Sequence, residues 1–344
     1  MPSLYGNEPV SNVSCPLCLA TTGNVLYSVT SEQSAKAFIR PALHRHAHEQ
    51  LVHIVEDLWG TSTCRQIQCD QCKSVYSWPH RAGDARFYNL AFRDHMRYPR
   101  DRWEFRAAAR ARFLGADPRG PMLELGAGDG AFLRTLQAAG VPMSSVSAVE
   151  YSDEARKNLK RIDPSLNVFA DLDQFLHASA PNSCTHVFAF QVLEHVPEPL
   201  DYLRSFGRAL RPGGLVCMAV PNPGRIEANE QNGLILDMPP CHITRFTIQG
   251  VSALARQAGF ELIHSEIEPL VYRAWFREFL SYHFLRRTQN DGSLQNWMET
   301  KLPWRLATIG GALLGFIPAL SKSVGPKEGG SLFCVLRNSP AAPG

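Results

Sequence analysis

Short apolar runs alternate with amphipathic stretches from residue 121 onward. The apolar runs include PMLELG, SVSAVE, THVFAF and LVCMAV, and the amphipathic stretches include FLRTLQAAG and PLDYLRSFGRAL. Strands that alternate with helices in this way predict an α/β fold with a doubly wound parallel sheet. A helix predicted over residues 200–210 ends at R-P-G-G, because proline cannot continue a helix and glycine lets the chain reverse.

The end of the chain predicts two further strands with a long connection between them. A helix over residues 247–258 leads into a strand over 261–267, and SLFCVLR at 331–337 predicts the last strand. The connection of roughly sixty residues is long enough to need helices of its own, so we expect a helical cap insertion over 268–330. Its uncharged run at 306–320 is shorter than the roughly 20 apolar residues of a membrane span. We expect an apolar cap over the substrate or a subunit surface, with a peripheral membrane contact as the alternative.

Cysteine pairs mark the start of the chain. Cys15 and Cys18 form one C-x-x-C pair, and Cys69 and Cys72 form another about fifty residues later. Two such pairs can place four thiolates around one Zn²⁺, so we expect these four residues to bind zinc, with unlinked thiols as the alternative. The segment between the pairs reads as helical, and Cys64 has no partner at short spacing. We therefore expect a zinc-binding module with a helical insertion over residues 1–80, a helical connector over 81–118 and a catalytic domain over 119–344.

Composition narrows the class of protein. The 344 residues are 44% hydrophobic and 19% charged, which is ordinary for a folded protein and excludes a disordered, collagen-like or multi-span membrane chain. A formal net charge of +3 does not indicate a dedicated nucleic-acid binder. The start of the sequence does not read as a secretory leader, so nine cysteines favour a reducing, cytoplasmic setting over a disulfide framework.

A glycine-rich turn and two carboxylates follow the first strands of the catalytic region. The turn ELGAGDG at 124–130 lets the backbone approach a ligand closely and directs helix N–H groups toward it. Glu150 ends the next predicted strand, 20 residues after Gly130, at the spacing where a carboxylate can accept hydrogen bonds from two ribose hydroxyls. Asp171 follows a further short strand and is placed to accept from an adenine amino group.

These segments resemble the motifs of the class I S-adenosylmethionine (SAM)-dependent methyltransferases. LELGAGDG is similar to their first motif, VEYS to the second, ADLDQF to the third, FAFQVLEHVPEP to the fourth, and LRPGGLVCMAVPNP to the strand and loop that follow. The resemblance covers residues 119 to about 260, and SLFCVLR is similar to the antiparallel seventh strand of that fold. It implies a seven-stranded Rossmann-like sheet and methyl transfer from SAM. A dinucleotide-binding dehydrogenase is the alternative, but a bound pyrophosphate usually favours G-x-G-x-x-G.

The resemblance also implies which residues bind SAM. The glycine turn would pass under the methionine part, Glu150 would hold the ribose, Asp171 would reach the adenine, and Gln191 would line the sulfonium end. The full set expected to bind SAM is Glu124, Gly126, Ala127, Gly128, Glu150, Tyr151, Asp171, Leu172 and Gln191.

Two histidines are candidates for a catalytic base, which methyl transfer to a hydroxyl requires. His195 follows the fourth strand, although the pair Glu194-His195 is also typical of packing and helix capping in this superfamily. His242 lies in PPCHITRFT, which resembles a P-P-H-H-L-T-R-W-T loop of small-molecule members, and it is our first choice, with loop structuring as the alternative. Some ubiquinone-pathway O-methyltransferases carry a Glu-x-x-Glu-His metal set at this place. Gln191 replaces the first Glu, so we do not expect an active-site metal.

The expected acceptor is a small molecule, most simply a hydroxyl of a sugar, glycolipid or secondary metabolite. The cysteine-rich start resembles bacterial methyltransferases with an N-terminal zinc module, including nucleotide-sugar C-methyltransferases. It also resembles ribosomal-RNA guanine methyltransferases, which begin with C-P-L-C as well. RNA methylation, with the zinc module as the RNA-binding part, is therefore the alternative, favoured if arginines 93–112 form one face. The sequence leaves the oligomeric state open.

Overall fold

The computed structural model describes residues 8–11, 13–92, 101–115, 117–231, 237–272 and 328–339. Within them the strands are β1 (Glu8–Ser11), β2 (Thr22–Thr30), β3 (Thr63–Cys69), β4 (Val75–Trp78), β5 (Met122–Leu125), β6 (Val146–Val149), β7 (Asn167–Phe169), β8 (Cys184–Phe190), β9 (Leu210–Pro221), β10 (Thr244–Arg245), β11 (Phe260–Ile267) and β12 (Ser331–Asn338). The helices are α1 (Ser31–Phe38), α2 (Pro41–Trp59), α3 (Ala85–Ala91), α4 (Trp103–Ala111), α5 (Ala131–Ala138), α6 (Asp153–Ile162), α7 (Leu172–Ala178), α8 (Pro199–Ala209), α9 (Pro223–Gln231) and α10 (Ile248–Gln257).

The larger sheet has seven strands in the order β11-β12-β9-β8-β5-β6-β7. Strands β9, β8, β5, β6 and β7 run parallel, and β12 pairs antiparallel with both β9 and β11. This order and the antiparallel last strand confirm the predicted seven-stranded Rossmann-like α/β sheet.

Apolar side chains cover both faces of this sheet, because successive residues of a strand point to opposite sides. On β5, Met122 packs in one buried cluster with Phe132 of α5, whereas Leu123 packs in another with Leu203 and Phe206 of α8. Parallel strands that are buried on both faces read as continuous apolar runs, which explains the pattern of the sequence.

The N-terminal region forms a second, antiparallel sheet with helices beside it. Strands β1, β2, β3 and β4 pair in sequence order, and α1 and α2 lie between β2 and β3 along the chain. Helix α1 begins with a capping box, in which Thr30 accepts from the Gln33 backbone and the Gln33 side chain accepts from the Thr30 backbone. Its apolar face joins the cluster that contains Leu51, Val55 and Phe87.

The fifth strand of that sheet comes from the methyltransferase-like region. β10 pairs with β4 through Thr244 opposite Tyr76 and Arg245 opposite Val75, so the small sheet has the order β1-β2-β3-β4-β10. Residues 1–80 and 119–344, which we expect to form separate units, therefore contribute strands to one hydrogen-bonded sheet.

Several sequence expectations lie outside the described residues. They include most of the cap insertion over 268–330, the uncharged run at 306–320, and Arg93, Arg97 and Arg100 of the arginine-rich connector. Among the helices that the structure describes, none combines the length and the apolar character that crossing a membrane requires.

Candidate active site

The glycine turn lies at the carboxyl end of β5, the edge where open α/β sheets bind ligands. Gly126, Gly128 and Gly130 have φ values of 69°, 53° and 75°, in the left-handed region that favours glycine. The backbone N–H groups of Gly126 and Ala127 both donate to Val149 O, at 2.9 and 3.2 Å. These two hydrogen bonds fix the turn against the end of β6.

Glu150 follows β6 and closes the turn from the other side. One carboxylate oxygen accepts from the Gly128 backbone N–H and the other from that of Ser152, each at 2.8 Å. Tyr151 beside it is 82% exposed, which leaves its ring open to a flat ligand. The carboxylate is thus held in place before any ligand binds, and each oxygen retains a further acceptor position.

Glu124 is buried beneath the turn, with only 3% of its surface exposed. Burial, reinforced by the carboxylates of Glu150 and Asp129, raises its pKa well above the ordinary value. Its Oε2 atom has no hydrogen-bond partner within the described part of the chain. A buried polar atom without a partner is costly, so a hydrogen-bonding ligand in the turn would relieve it.

Asp171 and Leu172 lie at the end of β7. Asp171 caps α7, because one carboxylate oxygen accepts from the Gln174 backbone N–H at 2.8 Å. Leu172 is 8% exposed. Asp171 therefore has a structural role in the fold, and its second oxygen remains available to a ligand.

Gln191 stands just after β8 with a φ of 55°, a strained conformation for a residue other than glycine. Its backbone N–H donates to Ala219 O at 2.8 Å, which ties it to the neighbouring strand β9. Gln191 lines a cavity of about 360 Å³ that also contains His242, Asp237 and Asn229. A larger cavity between α9 and the small sheet is lined by neither His195 nor His242.

His242 and Asp237 form a hydrogen-bonded pair at this cavity. The His242 Nδ1 atom lies 2.7 Å from Asp237 Oδ1, so Nδ1–H donates to the carboxylate and leaves Nε2 as the acceptor nitrogen. Burial opposes a charge on the imidazole, but the Asp237 hydrogen bond and charge outweigh it and raise the pKa of His242. The same hydrogen bond lowers the pKa of Asp237 against its burial. The pair therefore has the arrangement of a general base and a carboxylate that orients it.

His195 lies beside His242, with the ring centroids 4.8 Å apart. Its Nδ1–H donates to Cys241 O at 2.7 Å, and burial lowers its pKa to about 4, so the ring is neutral at physiological pH. Glu194 is fully buried, neither carboxylate oxygen has a hydrogen-bond partner in the described chain, and burial raises its pKa to about 7. The 3₁₀ turn Leu193–His195 thus supports the His242 loop by packing and hydrogen bonding.

The four cysteines of the C-x-x-C pairs come together away from this cavity. Cys15 Sγ lies 3.7 Å from Cys72 Sγ, and Cys18 Sγ lies 3.4 Å from Cys69 Sγ. All four sulfur atoms lie within 4.8 Å of one another. Four sulfurs at tetrahedral positions about 2.3 Å from Zn²⁺ would be about 3.8 Å apart, so the cluster has nearly the size of a zinc site.

A second group of possible metal ligands comprises His195, Cys241 and His242. Both histidine Nδ1 atoms in it are hydrogen-bonded to oxygen atoms, and burial raises the pKa of the Cys241 thiol, which disfavours a thiolate. This arrangement suits proton transfer better than metal coordination.

Sequence reasoning missed Asp237, which lines the cavity, and Arg245, which contacts Asp237 from outside it. Asp237 precedes His242 by five residues in an irregular loop. Neither the repeat of a helix nor that of a strand predicts contact between two residues at this spacing. Arg245 donates to Asp237 O at 3.3 Å. One signal in the sequence was available: Asp237 and Arg245 flank His242 within a segment of nine residues.

Comparisons with known proteins identify the region that carries this site. The methyltransferase domain family model matches residues 95–265, about half of the chain. No curated protein matches the sequence.

The solved structures that match this chain include three methyltransferases. A candidate sarcosine dimethylglycine methyltransferase from Galdieria sulphuraria is 17% identical, with a TM-score of 0.44 over 83% of this chain and 96% of that one. A SAM-dependent methyltransferase from Archaeoglobus fulgidus is 14% identical, with a TM-score of 0.43 over 74% and 100% of the two chains. A Haemonchus contortus phosphoethanolamine N-methyltransferase solved with SAM is 19% identical, with a TM-score of 0.42 over 69% of this chain and 53% of that one.

The domain match spans the glycine turn, the carboxylates after β6 and β7, and the loop of His242. The seven-stranded sheet has the strand order and the antiparallel last strand implied by the sequence motifs. The chain belongs to the class I S-adenosylmethionine-dependent methyltransferases.

Proposed function

We propose that the chain methylates a hydroxyl of a small molecule, such as a sugar, a glycolipid or a secondary metabolite, bound between Gln191 and His242. The observation that carries this proposal is the Asp237–His242 pair in the wall of a cavity that also reaches Gln191. Methyl transfer to nitrogen or sulfur can proceed without a base, whereas a hydroxyl must lose its proton. A histidine held by a carboxylate supplies that function.

The proposed SAM site is the edge formed by β5, β6, β7 and β8. The open backbone of the glycine turn accepts the methionine part, and the unpartnered Oε2 atom of Glu124 provides a nearby polar group. The held carboxylate of Glu150 binds the ribose, with Tyr151 exposed beside it, and Asp171 with Leu172 borders the adenine. SAM supplies an activated methyl group on a sulfonium, which leaves as a neutral sulfide.

The residues of the cavity carry out the proton transfer in this proposal. His242 Nε2 would accept the proton of the acceptor hydroxyl as the hydroxyl oxygen bonds to the methyl carbon. The Nδ1 proton remains on His242, donated to Asp237 Oδ1. The carboxylate stabilises the imidazolium that forms. His195 remains neutral beside it and adds no competing positive charge.

The size of the cavity and the pairing of the arginines favour a small molecule over RNA. A cavity of about 360 Å³ is at the lower end of the range for small-molecule sites. The arginines of the connector that the structure describes interact within the protein: Arg102 with Glu104, Arg106 with Asp101, Arg110 with Glu266, and Arg112 with Ala109 O. Acidic partners for Arg102, Arg106 and Arg110 offset part of the positive charge of this segment, which disfavours the RNA alternative.

The proposed role of the cysteine cluster is to bind one Zn²⁺ that stabilises the N-terminal module. The module comprises residues 1–80, with α1 and α2 as its helical insertion, and α3 and α4 lie in the connector over 81–118. The sulfur spacing supports the proposal.

Metal analysis of the purified full-length chain tests the zinc proposal. We expect about one zinc per chain, lost in the double variant Cys69→Ser/Cys72→Ser and retained in Cys64→Ser, since Cys64 lies outside the four-cysteine group. A zinc-free, folded wild-type protein would refute the proposal. About two metals per chain would instead indicate that His195, Cys241 and His242 also bind one.

The methylation proposal is tested with methyl-labelled SAM and an extract of host cells. Label is counted in small-molecule, lipid, RNA and protein fractions for the wild type, for His242→Ala and for His53→Ala, a histidine whose side chain is 80% exposed on α2. We expect label in the small-molecule or lipid fraction, at least about 100-fold less with His242→Ala and unchanged with His53→Ala. Label in RNA, or full activity of His242→Ala, would refute the proposed acceptor or base respectively.

A further inference from the structure

A buried polar cluster joins the N-terminal sheet to the loop that carries His242. Arg245 on β10 is 5% exposed, and its Nη2 atom donates to Tyr27 Oη on β2 at 2.6 Å. The same atom lies 2.7 Å from Glu230 Oε1 on α9, and the Tyr27 hydroxyl also donates to that carboxylate. β2, which is distant in sequence, therefore meets α9 and β10 at one guanidinium.

This guanidinium also contacts the residue that orients the proposed base. Arg245 Nη2 donates to Asp237 O at 3.3 Å, and the side chain of Asp237 accepts from His242 Nδ1. Arg245 itself lines the larger cavity and not the one with Gln191 and His242. It is therefore placed to act on His242 through Asp237, without touching the acceptor.

Further hydrogen bonds hold the same loop, residues 237–247, against the N-terminal module. Ser34 of α1 donates to Pro239 O at 2.5 Å, and the Ser77 backbone of β4 donates to Ile243 O at 2.9 Å. At the far end of the loop, the Thr247 hydroxyl donates to Cys72 O at 2.6 Å. The module thus contacts the loop at its start, its middle and its end.

We propose that Arg245 is a positioning residue that fixes Asp237 against His242, and that the N-terminal module, through Tyr27 and the β4–β10 pairing, holds Arg245 in place. The module thereby sets the geometry of the base in addition to stabilising the fold. This inference rests on the proposed role of His242 as the base.

Tyr27 offers a test that leaves every formal charge in place. The charged and titratable groups that act on His242 are Asp237, Glu194, Arg245 and His195. Tyr27→Phe removes one hydroxyl from the far side of the arginine and changes none of them. A changed titration of His242 in this variant would therefore report a changed geometry of the loop.

The experiment follows the titration of His242 by NMR in the full-length protein with ¹³C-labelled histidine. The His242 signal is identified by its absence in His242→Gln. The variants are Tyr27→Phe and Arg245→Lys, which keeps the charge but loses the planar group that reaches several partners. The matched control is Tyr76→Phe in the same sheet. The Tyr76 backbone pairs with Thr244, but the hydroxyl that the substitution removes donates to Val13 O at 3.2 Å, outside the loop.

We expect the pKa of His242 to fall by about half a pH unit or more in Tyr27→Phe and Arg245→Lys, because a looser loop weakens its hydrogen bond to Asp237. Tyr76→Phe should match the wild type, and binding of S-adenosylhomocysteine, measured by calorimetry, should be unchanged in all three. Unchanged titration in Tyr27→Phe would overturn the inference, as would an equal shift in Tyr76→Phe. If Arg245→Lys does not fold, the titration of His242 in the conservative variant Tyr27→Phe still tests the inference.

The result can be separated from the proposed function. If the titration of His242 shifts as expected but His242→Ala transfers methyl groups normally, the module positions His242 and the proposed base is wrong. If His242→Ala is inactive but Tyr27→Phe leaves the titration unchanged, the base is supported and the positioning role is wrong.

Discussion

Replacing Glu150 with glutamine tests the proposed SAM site without requiring the acceptor. Both carboxylate oxygens of Glu150 already accept from backbone N–H groups at 2.8 Å, one from Gly128 and one from Ser152. An amide nitrogen only donates, so in Glu150→Gln one of these N–H groups faces another donor and one ribose hydroxyl loses its acceptor.

The expected loss follows from the hydrogen bonds involved. A hydrogen bond to a charged group contributes about 1.5–3 kcal/mol, and each 1.4 kcal/mol is about a tenfold change in affinity. With one such bond lost to the ribose, Kd should rise about 10- to 100-fold. The disturbed contact with Gly128 or Ser152 adds to this change, so the lower end is the conservative expectation.

Isothermal titration calorimetry with S-adenosylhomocysteine measures this change directly. The matched control is Glu154→Gln. Glu154 is exposed in the first turn of α6, and its substitution removes the same charge four residues after Glu150. Circular dichroism melting curves check that both variants remain folded. A Kd for Glu150→Gln within about threefold of the wild type would refute the assignment of Glu150 to the ribose.

Two other substitutions test the base and the interface between the regions. Asp237→Asn keeps the shape of the partner of His242 but removes its charge, so burial should prevail and the pKa of His242, measured by NMR, should fall by about one pH unit. Any activity limited by protonation of His242 should then extend to lower pH. Gly250→Ala should destabilise the protein by about 1–3 kcal/mol in denaturant unfolding, because its new Cβ would lie 2.1 Å from Ser74 Oγ across the interface.

Each of these substitutions has an internal check. A pKa of His242 that rises or stays constant in Asp237→Asn would show that the carboxylate does not control the imidazole. Gly207→Ala on α8 is the control for Gly250→Ala, since the nearest atom to its Cβ would be Phe260 Cζ at 3.7 Å and alanine favours a helix by about 1 kcal/mol. Equal effects of the two alanines on stability would contradict the close packing between α10 and the small sheet.

The parts of the fold that the sequence could predict are those governed by local pattern. Apolar runs separated by amphipathic stretches gave strands and helices close to those observed, such as α8 (Pro199–Ala209) for the predicted helix over 200–210. The positions of the glycine turn and of Glu150 were also predictable from local pattern, because each directly follows a predicted strand.

The parts that the sequence could not predict depend on contacts between distant segments. β10 has only two residues, Thr244 and Arg245, and becomes a strand because β4 offers it an edge. The arginine that contacts Asp237 is recognisable only once Tyr27 and Glu230 are seen around it. No periodicity within the loop indicates these partners, which is why the loop was expected to supply a histidine alone.

The pairing of β4 with β10 has a consequence for how the chain reaches its native state. Roughly 170 residues separate the paired strands, so the edge of β4 remains uncovered until most of the protein has been synthesised. An open edge of this kind can pair with another chain, and Trp78 at its end is 42% exposed even in the finished structure. Nascent chains or fragments that stop before residue 244 should therefore be prone to self-association, and an N-terminal region produced on its own would keep the edge of β4 uncovered.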